Sequence, residues 1–157
     1  MAFRSLDRSG QEAQSKREGA NPGIRTGGRL ILDGSALISI LTKGPGWEPI
    51  LDKLADSPTA GIGAPTLAET GIVLTARIGA DGKRVLSLFA LEADLAVVPF
   101  GEDHWRAAVD AYRRYGKGQH RAGLNFGDCL AYATAKLAGQ PLLCTGADFA
   151  KTDLAIA

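Results

Sequence analysis

The chain has 157 residues, of which 45% are hydrophobic and 22% charged, and its formal net charge at pH 7 is +1. This length favours one folded domain with a substantial core. The near-neutral charge excludes a globally basic surface for nucleic acid, so any basic patch must be local. The two cysteines form no CxxC pair, no apolar stretch reaches the ~18 residues of a membrane span, and no apolar signal segment opens the chain. We therefore expect a cytoplasmic protein without membrane contact.

The first segment of the chain differs in composition from the rest. Residues 1–29 are polar and Gly-rich with few apolar side chains, so they cannot bury enough surface to fold. They are interpreted as a disordered N-terminal extension, or as the product of a start codon assigned too far upstream. The folded domain is predicted to span residues 30–157.

From Leu30 onward, short apolar runs alternate with segments of helical periodicity. In chain order we predict strand "RLILD", helices "SALISILTK" and "GWEPILDKLADS", strand "TAGIGA", helices "PTLAETGIVLTARIG" and "DGKRVLSLFALEAD", strand "LAVVPF", helix "GEDHWRAAVDAYRRYG", helix "LNFGDCLAYATAKLAG", strand "PLLC" and a last strand "LAIA". In the fifth of these helices, Trp105, Ala108, Val109 and Tyr112 recur at helical spacing. Such alternation predicts a parallel sheet flanked by helices, with ligands bound beyond the carboxyl ends of the strands.

Acidic side chains occur where the predicted strands end and the helices begin. Asp33 directly follows the first strand in "LILDGSAL", where an Asp-Gly turn explains it about equally well. Glu69 lies three residues after Thr66, and Asp128 three residues after Asn125. Both helix acids therefore also fit the role of a capping residue.

A further acid, Asp148, follows the last strong strand, and Asp153 lies close behind it. Asp33 and Asp148 come after strands, whereas Glu69 and Asp128 are expected in the first turn of helices entered from the same edge. Four carboxylates forced together repel each other unless a cation joins them, and an oxygen cluster suits Mg²⁺ or Mn²⁺. Two such ions ~4 Å apart can activate water and hold the leaving oxygen of a phosphodiester.

Four segments carry a resemblance to a known family: "LILDGSALISIL", "APTLAETGIVLTARIG", "LAVVPF" and "AYRRYGKGQHRAGLNFGDCLAYATAKLAGQPLLCTGADFAKTDLA". From Leu30 to Ala157 the chain resembles a PIN domain, specifically a VapC-type toxin of a bacterial type II toxin–antitoxin pair. The resemblance implies a three-layer α/β/α domain on a mainly parallel sheet. It also implies an Mg²⁺-dependent endoribonuclease, with Mn²⁺ as a substitute, that cuts RNA such as tRNA or rRNA. The implied partners are a VapB-like antitoxin that obstructs the acidic cleft and a second copy in a homodimer.

The same resemblance assigns roles to individual residues. Asp33, Glu69 and Asp128 become the first three catalytic and metal-binding acids. Ser35 and Asn125 are expected to support the site by hydrogen bonding.

The fourth acid departs from the family pattern. Relatives place two acids before the Phe of this loop, whereas here Ala147 precedes Asp148. We assign Asp148 as the fourth catalytic and metal-binding acid, with Asp153 as the alternative. A weakened fourth ligand would lower activity or shift the metal preference. Gly34 also stands where the family more often has Thr or Ser.

The loop "YRRYGKGQHR" concentrates cations and leads directly into Asn125 and Asp128. Its candidates for RNA phosphates are Arg113, Arg114, Lys117, His120 and Arg121, with Tyr112 and Tyr115 available for base stacking. A solvated helix end explains the cations about as well, since positive charge is favoured at a helix C-terminus.

Two other functions stay open at this stage. A haloacid-dehalogenase-like phosphatase also begins with a strand ending in Asp, but it needs a second acid where this chain has Ser35. The other is a non-catalytic PIN-like module that binds RNA or protein, which the change at Ala147 supports.

Overall fold

The computed structural model describes residues 29–157, which form an α/β domain around one parallel sheet. The strands are β1 (Arg29–Leu32), β2 (Thr59–Gly63), β3 (Ala96–Val98) and β4 (Leu142–Leu143), in the spatial order β3-β2-β1-β4. The helices are α1 (Gly34–Thr42), α2 (Trp47–Asp56), α3 (Ala64–Ile78), α4 (Asp81–Glu92), α5 (Glu102–Tyr115) and α6 (Phe126–Ala138), and a 3-10 turn follows at Phe149–Lys151. All strand pairings are parallel, with Leu30 opposite Ala60 and Ile31 opposite Leu142.

Alternate residues of β1 point into two separate cores. Ile31 packs with the buried faces of α5 and α6, whereas Leu30 and Leu32 pack with α1, α2, α3 and α4. Successive side chains of a strand face opposite sides of the sheet, so each side receives its own layer of helices. This arrangement confirms the predicted three-layer α/β/α domain with a parallel central sheet.

Helix α5 is confirmed, whereas the last predicted strand is wrong. Helix α5 buries Ala108, Ala111 and Tyr115, while Trp105 and Val109 are about half exposed. The small alanines allow close packing against α6, so the larger apolar side chains are left on the outer face. The segment "LAIA" forms only an isolated bridge between Ile156 and Leu142 instead of a strand.

The predicted extension lies outside the described residues except for Arg29, which begins β1. Its disorder and the domain boundary at residue 30 therefore stay predictions. Among the described helices, none is both long and apolar enough to cross a lipid bilayer.

Candidate active site

A small cleft of about 160 Å³ opens at the carboxyl ends of the strands. Its lining includes three predicted acids and both predicted supporting residues, which are Asp33, Glu69, Asp128, Ser35 and Asn125. β1 leads into α1, β2 leads into α3, and α6 starts beside both, so the topology brings together positions far apart in sequence. This is the edge at which parallel sheets bind ligands.

Asp33 is fixed by both its backbone and its side chain. Its amide donates to the carbonyl of Leu143 on β4 at 2.9 Å, and its carboxylate Oδ2 accepts the amide of Ser35 at 3.0 Å. The side chain is buried and caps α1. The cap and the predicted metal-binding role are compatible, because the backbone bond uses only one carboxylate oxygen.

Two neighbours of Asp33 explain how the start of α1 packs. The Ser35 hydroxyl accepts the amide of Thr145 at 3.0 Å, which ties α1 to the loop after β4. Its hydroxyl hydrogen can still donate toward the cleft. At Gly34, a Cβ atom would lie 2.8 Å from the Thr70 hydroxyl oxygen. The departure from Thr or Ser at this position is therefore matched to a close approach of α1 and α3.

The capping box predicted for Thr66 and Glu69 is wrong. Helix α3 begins at Ala64, directly after β2, so Thr66 is already inside the first turn and Glu69 lies in the second. The Thr66 hydroxyl is buried without a hydrogen-bond partner, and the capping residue Gly63 has no side chain to bond. Pro65 near the helix start is compatible with this earlier beginning, since proline is tolerated in a first turn.

Glu69 instead reaches the cleft by lying against the start of α6. A Cβ atom added to Gly127 would lie 2.5 Å from Glu69 Oε2 and 2.7 Å from Oε1. The carboxylate therefore occupies the space that any side chain at position 127 would fill. Gly127 was not among the predicted site residues, although a glycine within a helix is unfavourable and can signal a close approach.

Asp128 takes part in a reciprocal capping box, as the alternative interpretation of this residue predicted. The backbone amide of Asn125 donates to Asp128 Oδ2 at 2.8 Å, and the backbone amide of Asp128 donates to Asn125 Oδ1 at 3.0 Å. Both residues also line the cleft. The cap fixes the acid without excluding it from the site.

The acids of the cleft are close enough to oppose one another's ionisation. Partial burial raises the pKa of Glu69 above its usual range, and the charges of Asp33 and Asp128 raise it further. Burial also raises the pKa of Asp128; the bond from the Asn125 amide opposes this rise, while Asp33 and Asp148 add to it. Within residues 29–157, no lysine or arginine forms an ion pair with Asp33, Glu69 or Asp128.

The two candidates for the fourth acid have different environments. Asp148 is exposed and forms an ion pair with Lys151 at 2.9 Å, yet its charge reaches Asp128. Asp153 accepts hydrogen bonds from Tyr132 at 2.7 Å and from Lys136 at 2.9 Å. These bonds lower the pKa of Asp153 to about 2, although burial alone would raise it. Each candidate has a lysine partner at 2.9 Å, but the charge of Asp148 reaches Asp128, so Asp148 stays the predicted fourth acid.

The cationic loop candidates are not equally available. Arg113 lies 3.5 Å from Asp110, and Arg114 lies 3.8 Å from Asp153 with its guanidinium over the Tyr115 ring. Lys117 and Arg121 are exposed, and neither forms an ion pair within the described part of the chain.

The aromatic residues of this loop are held mainly by structural contacts. His120 accepts the amide of Ala122 at its Nδ1 atom and packs edge-on against Tyr115. Tyr115 is buried, whereas Tyr112 is 45% exposed. Tyr115 is therefore unavailable for base stacking, although Tyr112 remains accessible.

The residues of the cleft fit a divalent metal ion. The donors are carboxylate oxygens, which suit Mg²⁺ and Mn²⁺, and their mutual repulsion favours a cation. Among the described residues, no group of three or more His, Cys, Asp or Glu side chains is close enough together to hold a metal ion by itself. Mg²⁺ usually retains several waters and takes only one or two carboxylates, so an incomplete set of protein ligands is compatible with it.

Cys144 lies just after β4 and close to these acids. Burial raises the pKa of its thiol to about 11, and the charges of Asp33 and Asp128 contribute to the rise while Lys53 opposes it. At neutral pH this thiol is protonated, and a protonated thiol is a poor nucleophile. No cysteine chemistry is therefore expected in the cleft.

The chain is similar to known proteins over most of its length. Residues 30–154 match the PIN domain family. A "Ribonuclease VapC" from Mycolicibacterium smegmatis is 47% identical over 126 residues, which cover 80% of this chain and 98% of the relative. "Ribonuclease VapC36" from Mycobacterium tuberculosis is 44% identical over 126 residues, which cover 80% and 91%.

Two solved structures share the fold at low sequence identity. VapC20 from Mycobacterium tuberculosis, described as a sarcin-ricin loop cleaving toxin, is 18% identical with a TM-score of 0.67, over 82% of this chain and 98% of that one. A toxin–antitoxin complex from Klebsiella pneumoniae is 19% identical with a TM-score of 0.61, over 82% and 96%.

Proposed function

Because the chain belongs to the PIN-domain family of VapC ribonucleases, we propose that it is the toxin of a type II toxin–antitoxin pair and cuts RNA in the acidic cleft with a divalent metal ion. Mg²⁺ is the proposed ion, with Mn²⁺ as a substitute. Family membership removes the phosphatase interpretation. The cytoplasmic location stays a prediction.

One observation carries the proposal. Asp33, Glu69 and Asp128 come from three separate elements, line one cleft, and have no cationic partner among the described residues. A fold does not gain stability by placing unpaired carboxylates together. Their convergence is explained if the site binds a cation together with an anionic substrate.

The residues of the cleft have distinct proposed roles. Asp33 and Asp128 would each present the carboxylate oxygen that is not bonded to a backbone amide, and Glu69 would present its carboxylate from the opposite side. Asp148 would join them after leaving Lys151. Ser35 and Asn125 hold the backbone around the acids. When bound, the ion would supply the positive charge that a water nucleophile and a departing 3′ oxygen require.

RNA would approach along the cationic loop. Lys117 and Arg121 are the most available of its cations, and Arg113 and Arg114 would exchange exposed carboxylate partners for phosphates. Exposed ion pairs contribute little free energy, so this exchange is inexpensive. His120 is mainly structural in its contacts and is the weakest of the five candidates.

Partner surfaces are also present. An apolar groove of about 920 Å³ lies between α3, α4 and β3, with Leu67, Ile72 and Leu86 among its lining residues. Grooves of this kind accept amphipathic helices, which supports docking of a VapB-like antitoxin. The exposed Trp105 and Val109 on α5 support a homodimer.

The proposal is tested by incubating purified tRNA and rRNA with the isolated protein, in Mg²⁺ or Mn²⁺ and with EDTA as a control. Asp33→Asn and Asp128→Asn should each reduce cleavage by at least about a hundredfold, because each change removes a charged ligand from the site. Their melting temperatures should stay close to that of the wild type, since Asn also caps helices well.

Asp52→Asn provides the matched control. Asp52 is an exposed acid of α2 that does not line the cleft, so this variant should cut RNA normally. Undiminished cleavage by either site variant, or cleavage that persists in EDTA, would contradict the proposed site. Metal binding without cleavage of any RNA would favour the non-catalytic module.

A further inference from the structure

Phe126 is a large apolar side chain on the surface beside the acidic cleft. It is the first residue of α6 and is 78% exposed. Its neighbours Asn125, Gly127 and Asp128 all line the cleft. The most exposed large apolar residue near the site is thus part of the same short segment as the third acid.

Folding does not explain this phenylalanine. Leu124 precedes the capping residue Asn125, and Cys129 is the fourth residue of α6. Both side chains are buried in the core that α5 and α6 share. They occupy the positions at which a hydrophobic staple fixes the chain entering a helix. Phe126 belongs to neither hydrophobic core, and the first helical position needs no aromatic side chain for capping.

The backbone that carries the ring is held rigidly. The reciprocal bonds between Asn125 and Asp128 close the first turn of α6, and Gly127 lies directly against the Glu69 carboxylate. The Cα atoms of Phe126 and Asp128 lie about 5 Å apart, but side chains two positions apart in a helix project to different faces, so the ring does not line the cleft itself. A strand bound in the cleft has to bend around the first turn of α6 to place a base on the ring.

The size of the cleft indicates what part of a substrate lies next to the ring. The cleft is small, about 160 Å³, and it is open to solvent on one side. A base flanking a phosphate held there can therefore lie outside, over the rim. Aromatic rings stack on unpaired bases and are used for this purpose in many single-strand-binding proteins.

The charge around the rim favours a nucleic acid over an apolar partner segment. The cationic loop containing Lys117 and Arg121 connects directly to α6, and the bridge between Gly116 and Leu124 holds its two ends together. A single RNA strand can place phosphates on this loop and one phosphate in the cleft, with a base over Phe126. The buried Tyr115 cannot provide such a face.

We infer that Phe126 is a stacking platform for an unpaired base that flanks the scissile phosphate. This inference rests on the proposed nuclease function and adds a residue that selects unpaired RNA. A base inside a duplex already stacks on both of its neighbours, so the platform contributes only when the base is unpaired.

The test is a double-mutant cycle between protein and RNA. The RNA is a short single-stranded oligonucleotide that the wild type cuts or, failing that, binds, and a matching series carries one abasic nucleotide at each position near the cut. Affinity is measured in the Asp128→Asn background, with and without Phe126→Leu. Cleavage rates are measured with the single Phe126→Leu variant. Phe126→Trp retains an aromatic face, and Leu91→Ala removes an equally exposed apolar side chain from α4.

We expect Phe126→Leu to weaken binding of the intact RNA about five- to hundredfold. For the protein that retains Phe126, an abasic nucleotide at one position should weaken RNA binding by a similar factor. The Phe126→Leu change and that abasic nucleotide together should weaken binding no more than either one alone. Phe126→Trp should restore binding, a fully paired duplex of the same sequence should bind equally with and without the ring, and Leu91→Ala should have no effect.

Other results would overturn either the stacking platform or the nuclease function on which it rests. Cleavage and RNA affinity unchanged by Phe126→Leu would leave the proposed nuclease intact and remove the platform. Unchanged RNA affinity with weakened antitoxin binding would assign the ring to a protein interface. Ring-dependent RNA binding by a protein that cuts no RNA would retain the platform and contradict the nuclease instead.

Discussion

The beginnings of α6 and α3 deliver acids to the same cleft by opposite means. In α6, Asp128 is fixed by the capping box with Asn125, so its position follows from four consecutive residues. In α3, no side chain caps the helix, and no hydrogen bond joins the Glu69 side chain to the described residues. Glu69 is instead positioned by contact with Gly127, which lies 58 positions later in the sequence. One acid is held locally and the other by tertiary packing.

Among the variants that test this contrast, Gly127→Ala should have the largest effect, because it breaks the packing of Glu69 against α6. The added Cβ atom would displace the Glu69 carboxylate, and misplacement by about 1 Å can reduce turnover about a hundredfold. We expect cleavage and Mn²⁺ affinity to fall about ten- to hundredfold. The free energy of unfolding should stay the same or rise by up to about 1 kcal/mol, because alanine is a better helix former than glycine. Turnover, calorimetric Mn²⁺ titration and thermal unfolding measure these three quantities.

Two further variants separate positioning from general damage. Gly71→Ala, in the same helix as Glu69, adds a methyl group at an ordinary contact distance of 3.4 Å from Leu86 and should leave activity unchanged. Glu69→Asp retracts the carboxylate and should partly restore Mn²⁺ affinity when combined with Gly127→Ala. If Gly127→Ala binds Mn²⁺ as tightly as the wild type, the packing account of Glu69 is wrong.

A smaller effect is expected at the fourth acid. Asp148→Asn should lower cleavage about tenfold, less than Asp128→Asn, because Asp148 is exposed and divides its interactions between the cleft and Lys151. Asp153→Asn should leave turnover unchanged but lower stability by about 1 kcal/mol, since it weakens bonds to Tyr132 and Lys136. Comparison of kcat with the melting temperature distinguishes the two roles. A reversed pattern would make Asp153 the fourth acid.

The smallest effect is a pH-dependent change in stability at Glu69. Its raised pKa means that ionisation is less favourable in the folded than in the unfolded chain. The metal-free protein therefore loses stability as pH rises from the usual Glu pKa through the raised value, and the loss persists above it. Glu69→Gln should raise the metal-free melting temperature by at most about 2 °C at pH 7 and leave it unchanged at pH 4.

In saturating Mn²⁺ the wild type should have the higher melting temperature and Glu69→Gln the lower one. Only the wild type retains all the ligands of the ion and is stabilised fully by its binding. The exposed Glu92→Gln on α4 serves as the control and should show neither effect. A melting temperature that falls in metal-free Glu69→Gln at pH 7 would contradict the direction of the pKa shift.

The same contrast explains what the sequence could predict. All six helices and the first four strands were predicted near their observed positions, because apolar periodicity and helix-start residues such as Asn125 and Asp128 act locally. The buried face of α5 did not follow from the sequence, because packing against α6 favours Ala108 and Ala111 over the larger Trp105. Periodicity alone does not weigh side-chain size at a helix–helix contact.

The predicted site residues divide in a similar way. Asp33 and Asp128 could be placed because each lies at the start of a helix. The position of Glu69 within α3 depended on where that helix begins, and the capping pattern at Thr66 was a false signal. The pairing of Asp148 with Lys151 depends on the geometry of a 3-10 turn that the sequence did not reveal.

Cys144 gives the site a built-in chemical reporter. Part of what keeps its thiol protonated is the negative charge of Asp33 and Asp128. A cation that neutralises these carboxylates removes that contribution and increases the fraction of thiolate, which is the form that reacts with alkylating agents. Burial remains the largest cause of the raised pKa and keeps most of the thiol protonated, but we expect iodoacetamide to label Cys144 faster when a cation occupies the cleft. Mass spectrometry of the labelled peptide measures this difference without any RNA.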